Sequence, residues 1–133
     1  MNITFNEASD ALKASVEKAK ELNIPVSIAI VDTGGHLMTL ARLDSTYGLV
    51  DFALKKAKTA VMFGVNSDTM GAIISGAELH SYGMINANGG LLTIAGGVVI
   101  KDINGNIIGA IGSSGGTPEQ DKEIAEAGAK VLS

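Results

Sequence analysis

The sequence predicts an α+β fold, an antiparallel sheet of about five strands covered by helices. Three observations lead there. Segments of helical and strand period follow one another in the order α-β-β-α-α-β-β-β-α. Two of the strand junctions are short Gly-containing turns, Asp32-Thr33-Gly34-Gly35 and Asp102-Ile103-Asn104-Gly105-Asn106. Such turns mark antiparallel hairpins rather than the crossovers of a doubly wound parallel sheet. Finally, 133 residues with 46% hydrophobic and 18% charged suffice for the core of one domain, expected to span 1–133.

The first helix opens on Thr4-x-x-Glu7, the spacing of a capping box, in which each side chain satisfies the other residue's backbone N–H. Ala8, Ala11, Leu12, Ser15, Val16, Ala19 and Leu22 then recur at helical spacing, and Asn23 with Pro25 ends the helix. Val26 to Asp32 is a β-branched run suited to a buried strand, and His36 to Leu43 alternates as its hairpin partner. Tyr47 to Phe63 reads as the second helix, stopped by Gly64, with Lys55 and Lys58 facing outward. Asn66-Ser67-Asp68 offers caps for a short helix through Leu79. Ser81 to Gly90 has no clear period and reads as a loop or irregular helix able to line a pocket.

Leu91 to Ile94, Val98 to Ile100 and Ile107 to Ser113 are strand material. Thr117-Pro118-Glu119-Gln120 supplies an N-cap, a Pro at the first helical position and a Gln three residues after the cap. Ile124, Ala125, Gly128, Val131 and Leu132 form the apolar face of that last helix.

Composition excludes several function classes. A net charge of -4 offers no basic stripe for a phosphate backbone, so nucleic acid is not an expected partner. With no Cys there is no disulfide, thiolate metal site, iron–sulfur cluster or cysteine nucleophile. Met1 to Glu7 has neither a basic start nor an apolar run, so no leader is expected. No apolar stretch approaches the roughly 20 residues that span a bilayer. A cytoplasmic protein without a membrane partner is expected.

Glycine is abundant, 17 residues against a usual ~7%, and gathers in the C-terminal half. The sharpest cluster, Gly112-Ser113-Ser114-Gly115-Gly116-Thr117, runs into the last helix. A Gly-rich turn before a helix N-terminus points N–H groups and the positive helix end at one place, and Ser113, Ser114 and Thr117 add hydroxyls. Gly115 and Gly116 could equally serve a tight turn packed on the sheet. No Lys follows as in a P-loop. Arg42 and Asp44, with Lys56 on the second helix, form another polar group. Arg42 could fork onto a carboxylate of a small anionic ligand, or pair internally with Asp44 or Asp121. Two histidines, His36 and His80, could each give a neutral imidazole to an iron. Their spacing does not suit zinc. No nucleophile–base pair can be assembled, and no catalytic residue is named.

Taken in order, Val31-Asp32-x-x-Gly35-x-Leu37, Arg42-Leu43-Asp44 and Lys56-Ala57-x-Thr59-Ala60 resemble the N-terminal blocks of the GlcG/HbpS haem-binding family. Gly96-Gly97-Val98-Val99-Ile100, Gly105 to Gly112, Ser114-Gly115-Gly116 and Gln120-Asp121 resemble its C-terminal blocks, and the likeness covers nearly the whole chain. Similar domains form the C-terminal part of PduO-type corrinoid adenosyltransferases. The resemblance implies a profilin-like α/β/α layered domain, homo-oligomeric, binding haem or another tetrapyrrole, with a role in haem degradation or turnover. It makes the Gly-rich turn a seat for a haem propionate. A different reading is a non-enzymatic accessory or assembly module of a cobalamin-dependent diol or glycerol pathway, or of glycolate use. The chain departs from the family in having Val98 directly after Gly96-Gly97, where a Pro is common.

Overall fold

The computed structural model describes residues 1–76 and 83–133. Its elements are α1 (Phe5–Leu22), β1 (Ser27–Asp32), β2 (Leu37–Arg42), α2 (Leu49–Phe63), α3 (Ser67–Gly76), β3 (Gly97–Lys101), β4 (Ile107–Ser114) and α4 (Pro118–Ala129). The four strands form one antiparallel sheet in the order β2-β1-β4-β3. Helices α1 and α4 pack together on one face and α2 covers the other, giving three layers.

Local chemistry explains the helix ends. Both expected capping boxes are present, Thr4 with Glu7 on α1 and Thr117 with Gln120 on α4, each such cap contributing on the order of 1 kcal/mol. Asn23 closes α1 in the left-handed region, and Gly64 does the same for α2. Helix α2 starts at Leu49 rather than Tyr47. Tyr47 has a φ of 55° and projects into solvent, and Gly48 takes the cap position. The third helix is described to Gly76, and its expected end at Leu79 lies outside the described residues, as does the start of the segment from Ser81.

The two hairpins are closed by the same device. Asp32 Oδ1 accepts from the N–H groups of Gly34 and His36, and Asp102 Oδ1 accepts from those of Asn104 and Asn106, all at 2.9 Å. In each turn a glycine, Gly35 or Gly105, takes the positive φ that an L side chain resists, 80° and 83°.

Among the described residues the sheet has four strands rather than about five. Leu91 to Ile94 has strand-like composition but runs without ladder pairing, because its polar groups bond elsewhere. The Leu92 N–H donates to Thr59 Oγ1 at 3.0 Å, the Leu91 N–H to the Ile85 carbonyl at 2.7 Å, and the Ile94 carbonyl accepts from Ser67 Oγ at 2.7 Å. The simple alternation expected along β2 is also broken. A bulge sets Val31 opposite Leu37 and Ile30 opposite Thr39, leaving Met38 as the extra residue, turned into the α1/α4 core.

Register fixes the two ends of the sheet. At one end Ser27 lies between Arg42 and Ser114. At the other, Asp32 pairs with Gly109 beside the first hairpin turn. Five residue steps separate these ends, roughly 17 Å of extended chain. Among the described residues no helix is long and apolar enough to cross a membrane.

Candidate functional site

The expected site residues divide between these two ends. Arg42, Lys56 and Ser113 to Thr117 gather at the Ser27 end. His36 stands at the other, in the β1–β2 turn. His80 lies outside the described residues.

At the Ser27 end the chain supplies its own anion. Asp121, in the first turn of α4, accepts the Gly116 N–H on Oδ1 at 2.9 Å and the Lys56 ammonium on Oδ2 at 3.0 Å. Thr117 N–H donates to Gln120 Oε1, and Lys56 also donates to the Ser113 carbonyl at 3.0 Å. The dipole of α4 is thus met by an internal carboxylate and the cation by a buried partner. Gly96 and Gly97 make room for this contact. A Cβ on Gly97 would overlap the Lys56 carbonyl, and one on Gly96 would lie 2.9 Å from Lys56 Nζ. Ser113 and Ser114 are buried in β4, and the Ser113 hydroxyl has no partner among the described residues. Arg42 is not joined to Lys56. Its Nε donates to the Ser45 carbonyl at 2.8 Å, and its side chain borders a separate cleft of about 590 Å³ beside Lys20 and Asp44.

The opposite end holds an open cleft of about 460 Å³ between the β1–β2 turn and the outer face of α2. His36, Lys58, Val61, Met62 and Asn88 line it. The imidazole of His36 is 82% exposed, with Nδ1 3.3 Å from Asp32 Oδ1. Backbone N–H donation, first from His36 and then from Gly34, holds the Asp32 carboxyl below its usual range, and the imidazole adds to that effect. The Lys58 stem packs against the turn, its Cγ 3.7 Å from where a Cβ on Gly35 would lie, an ordinary contact. A third wall comes from the segment around Asn88, tied to α2 by Lys55 Nζ donating to the Gly89 carbonyl at 3.1 Å and Asn88 Nδ2 donating to Met62 Sδ at 3.2 Å.

This cleft joins an imidazole, an ammonium, a thioether and apolar surface, the mixture that holds a flat, mostly apolar ligand with acidic substituents. Lys58, Val61 and Met62 were not expected in a site, whereas Asn88 belongs to the Ser81–Gly90 segment read as able to line a pocket. The available signal was the i,i+4 pair Lys58 and Met62, which shares one face of α2. Among the described residues no group of three or more His, Asp or Glu side chains could hold a bare metal ion.

Comparison with known proteins extends this picture. The family model described as "Haem degrading protein HbpS-like" matches residues 3–130. A 15.0 kDa protein from the dhaT-dhaS intergenic region of Citrobacter freundii is 37% identical over 126 residues, 93% of this chain and 87% of that relative. The corrinoid adenosyltransferase PduO of the same organism is 35% identical over 133 residues, which cover 95% of this chain but 38% of PduO. Among solved structures, a PduOC:haem complex superposes with a TM-score of 0.88 at 30% identity, covering 99% of this chain and 96% of that one. HbpS superposes at 0.85 and 28% identity, covering 100% and 92%.

Proposed function

We propose that this chain, which belongs to the HbpS-like family, is a haem-binding protein that takes its ligand in the cleft between the β1–β2 turn and α2. The observation that carries the reading is the donor set of that cleft. His36 offers a nitrogen for iron, Lys58 a cation for a propionate, and Val61 and Met62 apolar surface for the macrocycle edge. The PduOC:haem complex, alike over nearly the whole chain, supports it. Bound haem would contribute a redox-active iron. The chain's own residues bind and orient it, and a role in haem turnover follows the family's description. The Gly-rich turn, by contrast, is a structural joint in this reading, since Asp121 and Gln120 take the N–H groups of Gly116 and Thr117.

Titration of the purified protein with haemin tests the proposal. A saturable shift of the Soret band at a ratio of about one haem per binding site is expected. Haemin that shows only the free-haemin spectrum at every ratio would overturn it.

A second reading has its own support. The chain aligns with 38% of a corrinoid adenosyltransferase and with a protein of the dhaT-dhaS region. It could therefore serve as a non-enzymatic accessory module in diol, glycerol or glycolate use. Affinity capture from cells growing on the diol would recover a pathway enzyme if so, and recovery of none would count against it. In either reading we expect a homo-oligomer, because Leu37, Leu40, Tyr47 and Phe52 leave apolar surface in solvent around β2 and the start of α2. A monomeric sedimentation coefficient at micromolar concentration would refute that.

A further inference from the structure

We propose that His36 is the iron ligand and that Asp32 is the positioning residue that aims it; the inference rests on the haem-binding reading above. Asp32 Oδ1 is fixed by two backbone donors, the N–H groups of Gly34 and His36, each at 2.9 Å. The same oxygen stands 3.3 Å from His36 Nδ1. The ring lies across Gly34, where a Cβ would come within 2.8 Å of Cε1 and 2.9 Å of Nδ1. Any side chain at position 34 would therefore displace the imidazole.

With Nδ1 turned to the carboxylate, Nε2 is the nitrogen left for a ligand. A carboxylate facing the far nitrogen is the usual support of a metal-bound histidine. It sets the tautomer and ring orientation and raises the basicity of the ligating nitrogen. Asp32 Oδ1 is fixed in place by its own backbone donors, the N–H groups of Gly34 and His36, so the support is built into the turn. The hairpin turn thus does two jobs with one oxygen, reversing the chain and orienting the ring. The matching turn at Asp102 places Asn106 where His36 stands and serves only the first. Among the described residues that line the cleft, His36 supplies the imidazole, and the Met62 thioether accepts from Asn88.

Resonance Raman of the ferrous haem complex reads the iron–histidine stretch directly. The wild-type complex should show it, and His36→Ala should lose it with a shifted Soret band. Added imidazole should restore both in His36→Ala, which a merely structural loss would not allow. Asp32→Asn keeps an oxygen for the turn but loses the charge. It should lower the stretching frequency and weaken haem binding by about 10-fold or more, with far-UV circular dichroism unchanged. An iron–histidine band that survives His36→Ala and disappears in His80→Ala would overturn the assignment while leaving haem binding intact. If wild type fails to bind haemin at all, the broader reading falls first.

Discussion

Lys56 Nζ lies 3.0 Å from Asp121 Oδ2, with the two side chains 3% and 4% exposed, and this pair joins α2 on one face of the sheet to α4 on the other. The next residue on α4, Lys122, pairs with Asp68 of α3 at 2.8 Å. Adjacent residues of opposite charge thus tie one helix to two others around the β3 edge. The buried pair is costly to desolvate, and its worth lies in being complete. Asp121→Ala would strand a buried ammonium and free the Gly116 N–H, so a loss of about 3–5 kcal/mol is expected. Replacing both partners with apolar residues should cost less than that single change. Urea unfolding checks both, and an Asp121→Ala midpoint equal to wild type would contradict the structural role.

Gly97→Ala should be among the most damaging single-methyl changes in the chain. The added carbon would overlap the Lys56 carbonyl in the α2 backbone, which cannot step aside as a flexible side chain could. The expected loss is about 1–3 kcal/mol. Gly76→Ala provides the control, since no atom of the described residues lies within 4 Å of a Cβ there. It should be neutral or mildly stabilising in thermal melts, as expected for alanine replacing glycine in a helix.

These residues also show what could be read from sequence and what could not. Thr4 with Glu7, Thr117 with Gln120 and the Asp-x-x-Gly turns were legible because their chemistry is local, settled within four residues. Lys56 was legible as a polar candidate but not as a buried one. Its partner is 65 residues away, and no local period reveals such a pairing. Leu91 to Ile94 misled for the same reason, since strand composition does not say whether a ladder partner is free, and Thr59 took the Leu92 N–H. The Gly-rich turn reads from sequence as either an anion seat or a tight structural turn, and in the fold its Gly116 N–H is taken by a side chain of the chain itself. That this side chain is Asp121 required the tertiary structure.

Ser113→Ala separates a ligand role from a structural cost. The Ser113 side chain points with Ile28 toward the α1/α4 core, and its hydroxyl is fully buried with no partner among the described residues. Removing an unsatisfied hydroxyl should stabilise the fold by about 1 kcal/mol. Haemin affinity should be unchanged, because the cleft lies at the opposite end of the sheet. A weaker haem complex in Ser113→Ala would instead return this residue to the binding site.

Acid stability should report the two hairpin turns. The carboxyl of Asp32 is lowered first by the His36 N–H, and that of Asp102 first by the Asn106 N–H. A carboxyl that ionises more readily when folded binds fewer protons in the native state than in the unfolded one. Stability from these groups is therefore fully present above their unfolded range, about 4, and is lost as pH falls through the lower folded values. Urea midpoints attributable to the turns should be level between pH 7 and 5, at about neutral to mildly acidic conditions, and decline below about pH 4. Asp32→Asn and Asp102→Asn each keep an acceptor oxygen but cannot be protonated in this range, so the double variant should show a shallower acid decline than wild type. Identical acid slopes in the two proteins would show that the turns contribute nothing to it. Because Asp32 also aims His36, Asp102→Asn alone should flatten part of the decline while leaving the haem spectrum untouched, which divides the shared turn chemistry from the role special to the first hairpin.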